Sequence, residues 1–232
     1  MNFKMNIPAA VKEILGRLAN SAHRADVVGG AVRDALLGKE PSDFDITTSA
    51  LPEEIKEVFK NEKTVDIGIR HGTVAVILSG KQYEITTYRI DGEYRDNRHP
   101  VSVSFSKNIK DDLSRRDFTV NAMAYSEEYG LTDEFCGRED LEHRIIRAVG
   151  EPALRFSEDA LRILRAIRFA STLDFEIEPK TAAALEEKKS GLADVSGERI
   201  AVEWKRAPRG VLFFVFPYRK KKFIILSFFV FN

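Results

Sequence analysis

Two aspartates separated by one phenylalanine, Asp43 and Asp45, are the residues of this sequence that most directly predict chemistry. On a strand, side chains two residues apart point to the same face. The two carboxylates would therefore raise each other's pKa unless a cation lay between them. Oxygen ligands of this kind suit Mg²⁺, which takes one or two carboxylates together with substrate phosphates. Taken alone, the pair is better explained as an exposed strand end.

Two glycines and an arginine, Gly29, Gly30 and Arg33, predict a phosphate-binding turn shortly before the aspartates. Backbone N–H groups at such a turn can approach a phosphate closely, and the start of a helix favours an anion. Arg33, one turn into the predicted helix, can add a charge-assisted hydrogen bond. Alone, this is equally a tight turn with a surface arginine. Together with the aspartates, it predicts a nucleoside triphosphate site with its metal ions.

A helix is predicted where the stretch FSEDALRILRAIRFAS begins. Ser157 is the predicted N-cap, with Glu158 and Asp159 in the first turn, where the helix dipole favours acids. This capping role alone accounts for both acids.

Three arginines, Arg162, Arg165 and Arg168, recur every three residues along the same predicted helix. Asp159 lies three residues before Arg162, so the two side chains are expected to be neighbours. A carboxylate acceptor beside a guanidinium donor can match the hydrogen-bonding edge of a base. The arginines therefore indicate more than helix capping.

The elements that carry these residues are mixed early in the chain and helical later. Helical spacing of apolar residues predicts helices over residues 8–20 and 51–59, and LSRRDFTVNAMAYS predicts a third, packed through Phe118, Val120 and Met123. Strands are predicted at DVV, DFDITT, TVAVIL and YEITTYR, the last two joined by a Ser-Gly-Lys hairpin turn. This order favours an α+β fold with a helical extension.

The motifs together resemble one family. GGAVRDALLG followed by DFDITTS resembles the first motif of the class II tRNA nucleotidyltransferase and poly(A) polymerase family, within the DNA polymerase beta-like superfamily. HGTVAV, EITTYR, RRDFTVNAM, EDALRILRAIRFAS and SGERIAVEWKR agree in the family's order, over roughly residues 8–206. The resemblance implies a nucleotidyltransferase head, a mixed sheet with helices, over residues 1–143, and a partial α-helical neck over residues 144–206. Residues 207–232 are predicted to be an atypical tail.

The resemblance implies Mg²⁺-dependent addition of CMP, CMP and then AMP to the 3′ end of tRNA, from CTP and ATP, with release of pyrophosphate. It places the reaction in the cytoplasm, with no membrane partner, and leaves the oligomeric state open, a homodimer included. Asp43 and Asp45 are then the catalytic metal ligands. The implied nucleotide-binding residues are Gly30, Arg33, Arg116, Asp159, Arg162, Arg165 and Arg168, with Glu158 orienting the base-reading pair.

Other matches imply supporting roles. Arg199 would secure the turn that forms the base pocket, and Asp117 would help to shape the nucleotide pocket. Glu84 is either a third carboxylate beside the aspartates or an outward-facing strand residue. The polar loop of Arg89, Asp91, Tyr94, Asp96 and Arg98 matches the loop that CCA-adding members need for the switch from C to A. His71 is expected to be structural.

Three functions stay open. The first is CCA addition; the second is poly(A) polymerase activity in the same family. Family members continue through helices that grip the tRNA acceptor arm, whereas the resemblance here ends after about Arg206. A non-catalytic nucleotide-binding remnant is therefore the third.

The amino-acid composition also bears on disulfides, on the cellular compartment and on the C-terminal tail. The single cysteine, Cys136, excludes an internal disulfide and fits a reducing compartment. The N-terminal segment is not typical of a signal peptide. Residues 209–232 hold five basic residues and no acidic one, so the rest of a chain with zero formal net charge is net acidic. This tail is phenylalanine-rich and lacks periodicity, and we interpret it as a shifted reading frame or a foreign junction.

Overall fold

The computed structural model describes residues 3–92, 94 and 101–207, and the backbone of residues 216–218 and 222–224. It divides into two compact units. The first comprises Met1–Gly92 and Ser102–Leu141, and the second contains the chain from Glu142 onward. Asp96 and Arg98 of the predicted loop lie outside the described residues. No helix in the described part of the chain has the length and apolar character that crossing a membrane requires.

The first unit is built on a seven-stranded mixed sheet. The seven strands are β1 (Ala25–Val28), β2 (Asp45–Thr48), β3 (Lys63–Gly68), β4 (Thr73–Leu78), β5 (Lys81–Thr87), β8 (Met123–Ser126) and β9 (Gly130–Asp133). Their order in the sheet is β3-β4-β5-β2-β1-β8-β9. Strands β2 and β5 run parallel, and the other neighbours run antiparallel. A separate antiparallel pair consists of β6 (Arg89–Asp91) and β7 (Val103–Phe105).

The described part of the first unit contains five α-helices. They are α1 (Ala9–Asn20), α2 (Gly30–Leu36), α3 (Pro52–Val58), α4 (Ile109–Ser114) and α5 (Gly137–Glu142). Val11, Ile14 and Leu18 of α1 are fully buried, because residues at this spacing lie on one helix face. The predicted hairpin between β4 and β5 is confirmed, with Gly80 supplying a positive φ of 75° in its turn.

The second unit is mainly helical. Its elements are β10 (Ile145–Ile146), α6 (Pro152–Glu158), α7 (Leu161–Leu173), β11 (Glu176–Ile177), α8 (Pro179–Lys188) and α9 (Gly197–Lys205). The two short strands β10 and β11 pair in parallel. In the tail, β12 (Phe216–Tyr218) and β13 (Lys222–Ile224) form an antiparallel pair that is too short for sequence periodicity to indicate.

The predicted helix through LSRRDFTVNAMAYS is wrong. Helix α4 ends at Ser114, Phe118 has an extended backbone, and Met123 begins a strand in which all four residues are buried. A strand that is buried throughout shows no alternation, so its apolar residues can be mistaken for one side of a helix. The apolar residues Phe118, Val120 and Met123 are nevertheless all fully buried, as predicted.

The prediction of Ser157 as an N-cap is also wrong. Ser157 lies inside α6, where its hydroxyl donates to the carbonyl of Ala153 at 2.9 Å. Glu158 is the last residue of α6, and the chain then turns at Asp159, whose φ of −145° is not helical. The Oδ1 atom of Asp159 accepts a hydrogen bond from the N–H of Leu161 at 3.0 Å. The side chain of Asp159 therefore bonds to the first residue of α7, and the predicted helix begins at Leu161 rather than just after Ser157.

We expect Gly137→Ala to destabilise the first unit by about 3 kcal/mol, because overpacked sites cannot relax without moving the backbone. A Cβ atom there would lie 2.2 Å from the carbonyl oxygen of Thr119. Gly16→Ala is the matched control, since its Cβ would meet no described atom within 4 Å on the exposed side of α1. That change should stabilise α1 by about 0.5–1 kcal/mol. Urea denaturation measures both values, and equal effects would contradict the close approach.

Candidate nucleotide and metal site

Three carboxylates lie together at one end of the parallel strand pair in the first unit. Asp45 is the first residue of β2, and Asp43 lies just before it, so the predicted strand begins two residues later than expected. Ile46 pairs with Ile85 of β5, which brings Glu84 beside Asp45 on the neighbouring strand. All three acidic residues are exposed.

The negative charges of these three acids repel one another. The pKa of Asp45 is raised, first by loss of hydration around its carboxylate and then by the charge of Asp43, while Arg116 acts in the opposite direction. The pKa of Glu84 is raised in the same way, by loss of hydration and by Asp45 and Asp43. None of the three carboxylates forms an ion pair with a residue that the structure describes.

Carboxylates that form no ion pair with a described residue fit the binding of a divalent cation. The described residues contain no set of three or more His, Cys, Asp and Glu side chains arranged to hold a metal. A cation held by Asp43 and Asp45 would thus need further oxygen ligands from substrate phosphates and water, as Mg²⁺ commonly has. Among the described residues, Asp43 and Asp45 offer the carboxylates that could hold it.

The glycine turn lies between two guanidinium groups. Gly29 has a φ of 75° and precedes α2, and its N–H donates to the carbonyl of Met123. A Cβ atom on Gly29 would lie 3.3 Å from Nη1 of Arg116. A Cβ atom on Gly30 would lie 3.6 Å from Nη2 of Arg33. Glycine is therefore required at Gly29 for its conformation, and the structure brings Gly30, Arg33 and Arg116 together.

Arg33 is oriented by residues that the sequence analysis did not single out. Its Nη1 atom donates to Oδ1 of Asn121 at 2.6 Å, and Nη2 lies 2.8 Å from the carboxylate of Asp34. The amide of Asn121 in turn donates to the buried carboxylate of Asp117 at 3.2 Å. Asn121 lies within the motif RRDFTVNAM, but the incorrect helix prediction gave no reason to select it.

Arg116 has hydrogen-bonding capacity left over. Its Nη2 atom donates to Oδ2 of Asp112 at 3.0 Å. Its Nε atom is buried and has no hydrogen-bond partner among the described residues. A buried donor without an acceptor costs about 1–3 kcal/mol. An anion bound at the glycine turn would supply acceptors to this guanidinium group.

The predicted base-reading residues lie in the second unit and are held by neighbours there. Nη1 of Arg162 donates to Oε2 of Glu158 at 2.6 Å, and Nη2 of Arg155 donates to Oε1 of the same carboxylate at 2.6 Å. Asp159 instead accepts two hydrogen bonds from Arg199, at 2.7 and 3.2 Å. The two predicted base readers are thus positioned by separate partners, on either side of the break between α6 and α7.

Glu203 of α9, which the sequence analysis missed, contacts the other two arginines. It accepts a hydrogen bond from Nε of Arg168 at 2.6 Å, and its other oxygen lies 3.6 Å from Nη1 of Arg165. Arg168 is buried, and its guanidinium group lies over the ring of Phe169 at 4.0 Å. Burial lowers the pKa of Arg168, whereas Glu203 opposes this effect. The contacts of Arg168 are those of a packing residue as much as of a ligand-binding one.

His71 and the described start of the predicted polar loop also form specific contacts. The backbone carbonyl of His71 accepts a hydrogen bond from Nη1 of Arg89. Arg89 and Asp91 form an ion pair of 3.1 Å within β6. The described start of the predicted loop is therefore ordered by its own charged residues.

Curated relatives match this sequence over most of its length. A CCA-adding enzyme of Pediococcus pentosaceus is 52% identical over 199 residues, which are 86% of this chain and 50% of that enzyme. A CCA-adding enzyme of Enterococcus faecalis is 50% identical over 208 residues, which are 88% of this chain and 51% of that enzyme. The chain spans about half the length of the curated relatives it matches.

Solved structures of CCA-adding enzymes are also similar to this chain. The crystal structure of the Bacillus stearothermophilus CCA-adding enzyme in complex with CTP is similar with a TM-score of 0.78 and 45% identity, over 85% of this chain and 47% of that one. The Thermotoga maritima CCA-adding enzyme complexed with tRNA is similar with a TM-score of 0.72 and 31% identity, over 86% of this chain and 47% of that one.

Two family models match the chain. The model described as the poly A polymerase head domain matches residues 25–147, which are more than half of the chain. The model described as a probable RNA and SrmB-binding site of polymerase A matches residues 174–207. The first match contains the carboxylates, the glycine turn and the two arginines, Arg33 and Arg116, described above. The chain therefore belongs to the class II tRNA nucleotidyltransferase and poly(A) polymerase family.

Proposed function

We propose that this chain transfers CMP and AMP to the 3′ end of tRNA without a nucleic-acid template, using CTP, ATP and Mg²⁺. The observation that carries the proposal is the cluster of Asp43, Asp45 and Glu84, which forms no ion pair with a described residue, in the same unit as the turn bordered by Arg33 and Arg116. Metal-assisted phosphoryl transfer needs these two kinds of group. A tRNA substrate places the reaction in the cytoplasm.

In this proposal each part of the first unit has one task. Asp43 and Asp45 hold Mg²⁺, which supplies Lewis-acid stabilisation of the attacking and leaving oxygens. Arg33 and Arg116 orient the triphosphate and offset its charge, and Gly30 lets it approach the backbone. The tRNA 3′-hydroxyl attacks the α-phosphorus, a new phosphodiester bond forms, and pyrophosphate leaves with the electron pair of the broken bond. The proton of the attacking hydroxyl passes to water, so no side chain need act as a general base.

Base selection is proposed for the second unit. Asp159 offers acceptors and Arg162 offers donors, so together they can match the hydrogen-bonding edges of cytosine and adenine. A wrong base leaves one of these groups unpaired, which is a strong basis for rejection. Glu158 and Arg199 contribute by fixing the two readers. Arg165 and Arg168 lie on α7 with Arg162 and are proposed to add positive charge near the nucleotide.

Product analysis tests the proposal. The chain is incubated with Mg²⁺ and a labelled tRNA transcript that lacks CCA, with CTP alone, ATP alone or both. We expect two added residues with CTP and three with both nucleotides, and no extension of a transcript that already ends in CCA. Extension of an oligoadenylate primer by ATP, without tRNA extension, would instead indicate a poly(A) polymerase. Binding of CTP and ATP by calorimetry without any extension would indicate a non-catalytic remnant.

A further inference from the structure

Asp112 of α4 is a buried carboxylate to which the reaction described above assigns no task. It is fully buried, and both of its oxygen atoms accept hydrogen bonds. Oδ1 accepts from Nε and Nη2 of Arg115, at 2.9 and 2.6 Å. Oδ2 accepts from Nη2 of Arg116 at 3.0 Å and lies 3.2 Å from the hydroxyl of Thr47. The side chains of Arg115 and Arg116, just after α4, and of Thr47 in β2 therefore meet at one carboxylate.

The charges around Asp112 keep it ionised. Burial alone would raise the pKa of Asp112, but the charges and hydrogen bonds of Arg116 and Arg115 more than offset burial and hold the pKa below its usual value. A buried charge is retained only when its partners are fixed in good geometry. The carboxylate and the two guanidinium groups thus constrain one another.

The position of this carboxylate connects two parts of the site. Arg116 contacts Asp112 through Nη2, while its Nη1 atom faces the backbone at Gly29. Thr47 lies in β2, two residues after Asp45, so the strand that begins with a metal ligand also touches Asp112. A guanidinium group fixed from one side presents its remaining N–H groups to the other side at low entropic cost.

We propose that Asp112 is a positioning residue for the nucleotide: it fixes Arg116 against the glycine turn and holds it in register with the strand that carries Asp45. The proposal rests on the proposed function, because it assigns Arg116 to the triphosphate. Asp112 acts through Arg116 and does not itself touch the nucleotide.

A double-mutant cycle on CTP affinity tests this assignment, with calorimetry on the full chain in the presence of Mg²⁺. We expect Asp112→Asn to weaken CTP binding about tenfold, as is typical for loss of a hydrogen bond to a charged group. In an Arg116→Ala background the same change should alter affinity by less than about twofold, because residues that act through one another are not additive. A purely structural role would weaken binding in both backgrounds.

A neighbouring acid provides the control. Asp111 precedes Asp112 in α4, and its carboxylate accepts from Ser106 at 2.6 Å. Asp111→Asn should leave CTP affinity unchanged. If Asp112→Asn prevents folding, as judged by circular dichroism, Thr47→Val replaces it, since that change removes the hydroxyl contact without changing charge. It should weaken binding about threefold alone and have no effect with Arg116→Ala.

The outcomes separate the two proposals. Unchanged CTP affinity in Arg116→Ala would overturn the triphosphate role of Arg116, and with it the proposed function at this position. Weakened affinity in Arg116→Ala, combined with additive effects of Asp112→Asn, would overturn only the positioning role of Asp112. Weakened affinity in both single variants without additivity is the result that we expect.

Discussion

Asp45→Asn is expected to reduce nucleotide incorporation into tRNA by at least about 1,000-fold, because a metal ion contributes several kcal/mol to the stabilisation of transition-state charge. Asparagine keeps the size of the side chain but removes the charge that would hold Mg²⁺. Asp43→Asn should have the same effect, since its carboxylate is the second ligand that we propose. Single-turnover incorporation of labelled CMP measures the loss.

A surface acid of the same unit serves as control. Asp66 lies in β3 and pairs with Lys56 at 2.8 Å, with about half of its side chain exposed. Asp66→Asn changes the net charge as Asp45→Asn does, yet it should leave incorporation within about twofold, because exposed pairs contribute little. Normal incorporation by Asp45→Asn would exclude the metal assignment.

Asp45→Asn is also expected to stabilise the protein when no metal ion is bound. Asp45 has a raised pKa in the folded state, so folding favours its protonated form. Stability from this group is present below the unfolded pKa, about 3.9, and is lost as pH rises through the folded pKa. The advantage of Asp45→Asn should therefore grow as pH rises above about 4 and then level off, remaining below about 1 kcal/mol because solvent screens the exposed group. Thermal unfolding across pH in EDTA measures it. This gain excludes misfolding as the cause of lost incorporation.

The sequence could predict the residues whose chemistry depends on local spacing. Asp43 and Asp45, the Gly29-Gly30 turn and the hairpin between β4 and β5 all follow from neighbours within a few positions. Asp112 carried such a signal as well, because it lies three and four residues before Arg115 and Arg116, the spacing at which helix side chains meet. The helix predicted from the apolar spacing begins too late to include Asp112, so that spacing does not select it.

Residues that act across long separations could not be predicted in this way. Glu203 contacts Arg168 over 35 positions, and Asn121 contacts Arg33 over 88. The position of Glu203 or Asn121 relative to its neighbours in the sequence does not distinguish it from a surface residue. The sequence likewise does not predict the break at Asp159, because Ser157 followed by two acids matches the start of a helix. Tertiary contacts therefore decide which polar residues support the site.

The break between α6 and α7 leaves the direction of the Asp159 side chain dependent on its hydrogen-bond donors. Asp159 is not within a helix, so its direction depends on two hydrogen bonds from Arg199 of α9 and one from the N–H of Leu161. Without Arg199, only the N–H of Leu161 would hold the carboxylate through Oδ1, and the acceptor half of the proposed base-reading pair would lose much of its orientation. Arg162, held by Glu158, would be unaffected. The loss should therefore fall on discrimination between bases more than on general binding.

Arg199→Ala is expected to reduce the ratio of CTP affinity to UTP affinity by roughly 10- to 100-fold, since hydrogen bonds to charged groups contribute about 1.5–3 kcal/mol each. Calorimetry with both nucleotides measures this ratio without requiring turnover. Arg199→Lys should recover only part of it, because lysine cannot form the two-pronged contact. Arg144→Ala is the matched control: its pair with Asp174 in the same unit spans 3.8 Å, with side chains 71% and 94% exposed. An equal loss of affinity for CTP and UTP in Arg199→Ala would assign Arg199 to general stability, because a residue that orients a base reader must affect one base more than another.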